Sequence, residues 1–164
     1  MLSHLAIVFN PTISIDFEEI CIQEFVMEVM NHVKQLNIVT KSVELSCAAL
    51  SPENYKYILD ECKNVPRLWL LCEVSPDFEY RAGPDFKVDD FFVRDSHWIH
   101  LEGFSNCKTV YIHQKPDYIN LEGLRALIRK WIESECQLEH FTVSSIRSTF
   151  DSKLEELELR ITMA

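Results

Sequence analysis

Short apolar runs near residues 43, 70, 110 and 140 alternate along this chain with longer stretches whose apolar residues recur every three or four positions. A period of two marks a half-buried strand, and a period near 3.6 marks a helix with one buried face. The pattern predicts a strand followed by four or five α-β pairs, with strand centres about 27, 40 and 30 residues apart, close to the spacing of leucine-rich repeats. Each pair exposes an apolar face that it cannot bury alone, so neighbours must stack. The expected fold is α/β: an irregular leucine-rich-repeat-like stack of α-β units with a mainly parallel sheet. An ordinary three-layer α/β domain serves the same alternation and is the alternative. The 164 residues are read as a single domain, residues 1–164, since three glycines and six prolines leave no long flexible linker.

Individual elements follow from the same rules. Leu5–Phe9 reads as a buried strand stopped by Asn10-Pro11. A helix is expected from about Phe17 to Lys34, its stripe made of Ile22, Phe25, Val26, Val29, Met30 and Val33, with Asp16, Glu18 and Glu19 at its positive end. Residues 37–47 alternate as a strand, with Val43, Leu45 and Cys47 on the dry face. Ser51-Pro52-Glu53 supplies a capping hydroxyl, a first-turn proline and an acid, and the helix it starts buries Tyr55, Ile58, Leu59 and Cys62. Arg67–Val74 is nearly continuous in apolar character, as for a strand covered on both faces. Residues 75–97 read as an irregular excursion with one short strand at 86–92. A helical turn at Ile99–Phe104, a strand Cys107–His113, a helix Leu121–Ser134 capped by Asn120, and a strand Leu138–Val143 complete the order. In that helix Leu121, Leu124, Leu127, Ile128, Trp131 and Ile132 share one face. The tail to Ile161 reads as a helix entering a last strand.

Charge narrows the partners. The net charge is −10, and the densest basic spot, Arg125, Arg129 and Lys130, is flanked by Glu122 and Glu133. Such a field repels phosphates, so neither nucleic acid nor a membrane surface is expected as a partner. No apolar window of about 18 residues exists, and the amino terminus lacks the features of a secretory signal. Six cysteines without a CxxC pair, each among apolar residues, read as reduced thiols. The chain is therefore expected to be soluble and intracellular, cytoplasmic or nuclear.

Chemistry is sparse. His97-Trp98-Ile99-His100 is the one close histidine pair, without an HExxH frame or a neighbouring cysteine pair, so no metal is expected. There is no G-x-S-x-G elbow and no glycine-rich phosphate cradle, so no cofactor and no catalytic residue is assigned. The rival reading is a small enzyme using His97, His100 and Asp89, or a Cys-His pair; it requires those side chains to converge. The candidate partner-binding residues are Phe78, Tyr80, Phe86, Phe91 and Phe92, aromatic anchors in an acidic stretch. Against this stands the plainer reading that the rings fold back and plug the core. Trp98 and Trp131 lie on apolar stripes and are expected in the core.

Residues 98–143 carry a more specific pattern: Trp98-Ile99-His100-Leu101-Glu102-Gly103-Phe104, then Asn106-Cys107-Lys108-Thr109-Val110-Tyr111-Ile112, then Lys130-Trp131-Ile132 closing a helix, then Leu138-Glu139-His140-Phe141-Thr142-Val143. This resembles the type 2 F-box-associated domain of nematode F-box proteins. Trp98, Asn106, Cys107, Lys130, Trp131, Ile132 and Leu138 are the positions that match its structural motif. Arg125 stands where that family usually has Asn, and Ser134 where Gly commonly ends the helix. The resemblance implies a non-catalytic protein-interaction module, the substrate-recognition part of an SCF-type ubiquitin-ligase adaptor, with an unidentified protein target. No F-box segment is seen before residue 17, so a Skp1-type linker is not expected as a partner. A truncated remnant without activity is the remaining alternative.

Overall fold

The computed structural model describes residues 12–47, 49–113, 121–133, 135–148 and 154–162. Its elements are β1 (Thr12–Phe17), α1 (Gln23–Gln35), β2 (Val39–Leu45), α2 (Pro52–Glu61), β3 (Arg67–Leu70), β4 (Asp90–Val93), a short 3-10 helix (Leu101–Phe104), β5 (Thr109–His113), α3 (Leu121–Ile132), β6 (His140–Ser148) and β7 (Leu154–Thr162). The seven strands form one sheet in sequential order, β1 to β7. Strands β1 to β6 run parallel, and β7 returns antiparallel to β6.

Sequential order distinguishes the two expected architectures. A doubly wound sheet reverses its strand order at a switch point so that helices cover both faces. Here the order never reverses, and the buried apolar strand residues share one parity: Val43, Leu45, Leu68, Leu70, Phe91, Val93, Val110, Ile112, Phe141 and Val143. They join Val26 and Met30 of α1, Tyr55, Ile58 and Leu59 of α2, and Leu127 of α3 in one core cluster. The fold is the irregular repeat-like stack of α-β units with a mainly parallel sheet. Register-equivalent residues Ile15, Val43, Leu68, Phe91, Val110 and Phe141 lie about 19 to 31 positions apart, a range centred on leucine-rich-repeat lengths.

The helix ends show how local chemistry sets the elements. Ser51 Oγ accepts from Asn54 N at 3.3 Å, with Pro52 at the first helical position. Gln23 Oε1 accepts from Ser51 N at 3.1 Å and Asn54 Nδ2 at 3.3 Å, tying the start of α1 to the cap of α2. Helix α1 ends in a Schellman arrangement. Asn37 takes φ 51°, its N–H donates to Lys34 O at 3.0 Å, and Ile38 N–H donates to Val33 O at 3.2 Å.

Several expectations change. The strand expected at Leu5–Phe9 lies outside the described residues, as do the Asn120 cap and Ser134. A strand that the sequence reading did not mark, Thr12–Phe17, stands first in the sheet among the described strands, and Phe17 closes it rather than opening α1. Helix α1 starts at Gln23, behind an uncapped Ile22, so Asp16, Glu18 and Glu19 are not in its first turn. Ile22 and Phe25 are exposed, not part of the buried stripe. The short strand of the excursion is displaced from 86–92 to Asp90–Val93 and is a full member of the sheet, between β3 and β5. Ile132 is 77% exposed and leaves the α3 stripe, whereas Leu127 and Trp131 are buried. The tail forms β7, and no helix precedes it among the described residues. Strand β3 is not covered on both faces: Trp69 is half-buried on the face opposite Leu68 and Leu70.

Candidate functional site

That second face is open among the described residues, whose helices pack on the other side. Its lateral rows follow from register. One row reads Asp16, Glu44, Trp69, Phe92, Tyr111 and Thr142 across β1 to β6. Trp69 and Phe92 pack with ring centroids 5.7 Å apart, and Phe92 stacks on Tyr111 at 4.9 Å with planes 13° apart. All three rings are half-buried and pack against one another. Arg67 bounds the row below: its Cζ sits 5.0 Å over the Trp69 ring, and its Nε donates to Asp90 Oδ2 at 2.9 Å. Beyond the row, Tyr111 Oη donates to Ser144 Oγ at 3.0 Å, and His113 Nδ1 lies 2.9 Å from the same oxygen. Ser144 is fully buried beneath these two side chains. The result is a continuous aromatic strip about three strand spacings wide including Glu44, with carboxylates at one end and a hydroxyl-imidazole network at the other.

The carboxylate end is electrostatically unsettled. Asp16 and Glu44 sit at paired positions on neighbouring strands. The Glu44 carboxyl is pushed above its ordinary range, chiefly because the sheet removes water from it and next because Asp16 repels its charge; Arg67 opposes this to a lesser degree.

The sequence-singled aromatics divide between the two faces. Phe78, Tyr80, Phe86 and Phe91 are buried on the helix side, at 5%, 7%, 1% and 0% exposure, which takes them away from any partner in this conformation. Their reason for burial is mutual packing. Phe91 stacks on Phe104 at 5.0 Å, Phe86 meets Phe104 edge-on at 5.1 Å, and Trp98 contacts Tyr55, Phe78 and Tyr80 at 5.6 to 6.0 Å. Of the five, Phe92 faces the open side. Trp69 and Tyr111, which complete the strip, were not candidates in the sequence; the signal that finds them is strand register.

The motif positions of residues 98–143 differ in their surroundings, and Ile132 is exposed. Trp98, Cys107, Trp131 and Leu138 are buried. Asn106 Nδ2 donates to Pro84 O at 2.9 Å, fastening the excursion to the 3-10 turn. Lys130 is half-exposed on a cleft of about 710 Å³ between residues 81–84, the 3-10 helix and α3. Gly83, Gly103 and Gly123 all line that cleft, and its rim mixes Arg81 and Lys130 with Glu102 and Glu122. A Cβ on Gly103 would stand 2.9 Å from Ala82 O and 3.0 Å from Ala82 Cβ, so glycine is what lets these backbones meet.

The side chains of the rival enzyme reading have separate surroundings. Asp89 pairs with Lys108 at 2.8 Å. His100 is exposed on the cleft. His97 holds Asp95 Oδ1 through Nδ1 at 2.7 Å and Ser75 O through Nε2 at 3.1 Å, so both ring nitrogens are engaged. Cys47 and Cys72 form a buried pair on adjacent strand ends. The hydrogen bond between the two thiols lowers Cys47 below the ordinary thiol range and, with burial, raises Cys72 above it. Burial pushes Cys62 and Cys107 up to about 12, the state of inert core thiols. All six cysteines are free, and no group of three or more metal-ligating side chains occurs among the described residues. No helix among them is long and apolar enough to cross a membrane.

No family model matches the chain, and no solved structure matches it. It is 28% identical over 143 residues to the Skn-1 dependent zygotic transcript 15 protein of Caenorhabditis elegans. That alignment covers 81% of this chain and 40% of the relative, so the chain spans about two fifths of that protein's length.

Proposed function

We propose that this chain is a non-catalytic docking module that holds a protein partner on the open face of its sheet, as the target-recognition part of an SCF-type ubiquitin-ligase adaptor does. The observation that carries the reading is the Trp69–Phe92–Tyr111 strip, three aromatic side chains aligned by register on the face opposite the described helices. Aromatic side chains at the centre of a patch contribute most of the energy of a typical protein interface. A one-sided parallel sheet also leaves a broad surface that repeat-like folds use for binding. The resemblance at residues 98–143 supplies the adaptor part of the reading.

Affinity capture from cells expressing the chain, compared with the Trp69→Ala/Phe92→Ala double variant, tests it. The expected result is a protein recovered with the parent chain and depleted at least about tenfold with the variant, the loss of two aromatic anchors at over ~1 kcal/mol each. Thermal unfolding of both chains must first show that the variant is folded. Equal recovery with a folded variant contradicts the docking face. The adaptor part is read separately, by whether the captured protein gains ubiquitin when the chain is co-expressed.

A further inference from the structure

We infer that the open face takes a cationic polypeptide segment, with a Lys or Arg side chain seated between Asp16 and Glu44 and apolar side chains laid along Trp69, Phe92 and Tyr111. This rests on the docking reading above and specifies the chemistry of the partner.

Charge complementarity selects the occupant. Asp16 and Glu44 are side by side in the row that continues directly into the aromatic strip. Like charges at paired cross-strand positions are destabilising, and the rest of the sheet avoids the conflict. In a chain whose other local choices agree with its fold, such a conflict marks a functional position. The nearest cation of the face does not resolve it: Arg67 is held by Asp90 and lies over the Trp69 ring. A second cation, Arg94, is exposed just past the end of β4, displaced from Phe92 along the strand rather than across the sheet. The carboxylates thus stand at the β1–β2 end of the row, with the aromatic strip continuing from them. A ligand cation at the acidic end relieves both the repulsion and the stripped hydration of Glu44. An acidic or phosphorylated segment instead meets the Asp16–Glu44 pair and a chain of net charge −10.

Geometry sets the length. Neighbouring strands are about 4.8 Å apart, so Glu44 to Tyr111 spans roughly 14 Å. An extended segment covers that with about four residues, so the cation and the last apolar anchor should be about four positions apart.

Selection of a random peptide display library on the full chain, followed by binding titrations of the recovered peptides, tests this. The expected peptides carry Lys or Arg about four positions from an aromatic or branched aliphatic residue. Their affinity should fall about tenfold or more with Asp16→Asn/Glu44→Gln, the loss of a charge pair at the edge of an interface. Glu28→Gln/Glu53→Gln changes the net charge equally on the helix side and should leave affinity unchanged, which separates a seated cation from general attraction. Peptides without a cationic preference, or cationic peptides equally weakened by both double variants, overturn the inference. If such peptides still lose binding with Trp69→Ala/Phe92→Ala, the docking face survives. Peptide binding that this aromatic variant leaves intact removes both.

Discussion

The backing of the sheet differs between its first strands and its middle ones. Between β1 and β3 each connection carries a full helix, and the layer over the strands is made of Val26, Met30, Tyr55, Ile58 and Leu59. Between β3 and β5 there is no α-helix; one 3-10 turn remains, and Phe78, Tyr80, Phe86, Trp98 and Phe104 fill the same layer. Connection length explains part of the difference. The step from Phe91 to Val110 is the shortest between the parallel strands. The β3–β4 connection is nearly as long as the one that carries α2, but Pro76 and Pro84 interrupt it. Each aromatic side chain buries about 150–250 Å², so a few rings cover strands that would otherwise need a helix. The cost is polar: in the ring layer Trp98 Nε1 is enclosed without a hydrogen-bond partner among the described residues. A backing of rings thus holds geometry as a helix does but tolerates substitution less, because each ring touches several others.

The comparison is sharpest at single side chains. Phe86→Ala removes a ring 1% exposed that touches Tyr80, Phe91 and Phe104, and is expected to destabilise by about 3–5 kcal/mol in a denaturant titration. Leu59→Ala in α2, fully buried, is expected to cost about 2–5 kcal/mol. If Phe86→Ala costs clearly less than Leu59→Ala, the rings are filler and the comparison breaks. Gly103→Ala comes next, at about 1–3 kcal/mol, because its Cβ meets the Ala82 backbone; Gly83→Ala meets only the movable Asp85 carboxylate and should stay within about 0.5 kcal/mol. Ser51→Ala, the cap of α2, should cost about 0.5–2 kcal/mol, a loss with no counterpart in the helix-free region.

The smallest effect has the opposite sign. Glu44→Gln should stabilise by about 0.2–1 kcal/mol near neutral pH, because it removes a like-charge pair. The Glu44 carboxyl is raised in the folded chain, so the folded state holds this proton more tightly than the unfolded one. Its contribution to stability is therefore most favourable at low pH and declines as the carboxyl ionises with rising pH. The advantage of Glu44→Gln should accordingly vanish as pH falls below the carboxylate range, as thermal melts across pH would show.

Parts of both regions were legible in sequence: the α2 start and the β2 alternation in the helix-backed one, and the inward folding of Phe78, Tyr80, Phe86 and Phe91 in the ring-backed one. Ser51-Pro52-Glu53 and the Val43, Leu45, Cys47 alternation act through neighbours a few positions away, so their signals are local. At α1 the acids Asp16, Glu18 and Glu19 imitate a helix start, while the true start at Ile22 has no side-chain cap to announce it. Strand β1 alternates Ile13, Ile15 and Phe17, yet Phe17 also fits the helical period that follows. The segment Asp90-Phe91-Phe92-Val93 shows no alternation because rings occupy both of its faces. The open-face strip is a product of register alone. Trp69, Phe92 and Tyr111 are scattered along the chain and meet only once three strands align.

The most direct measurement places a photo-crosslinking amino acid at position 92 on the open face and, separately, at Lys56 on the exposed side of α2. Mass spectrometry of the products then reads which surface a partner touches. A docking module of this form crosslinks a partner from position 92 and leaves position 56 unlinked. A partner captured from position 56 with none from position 92 would place binding on the helix side and contradict the open face as the site.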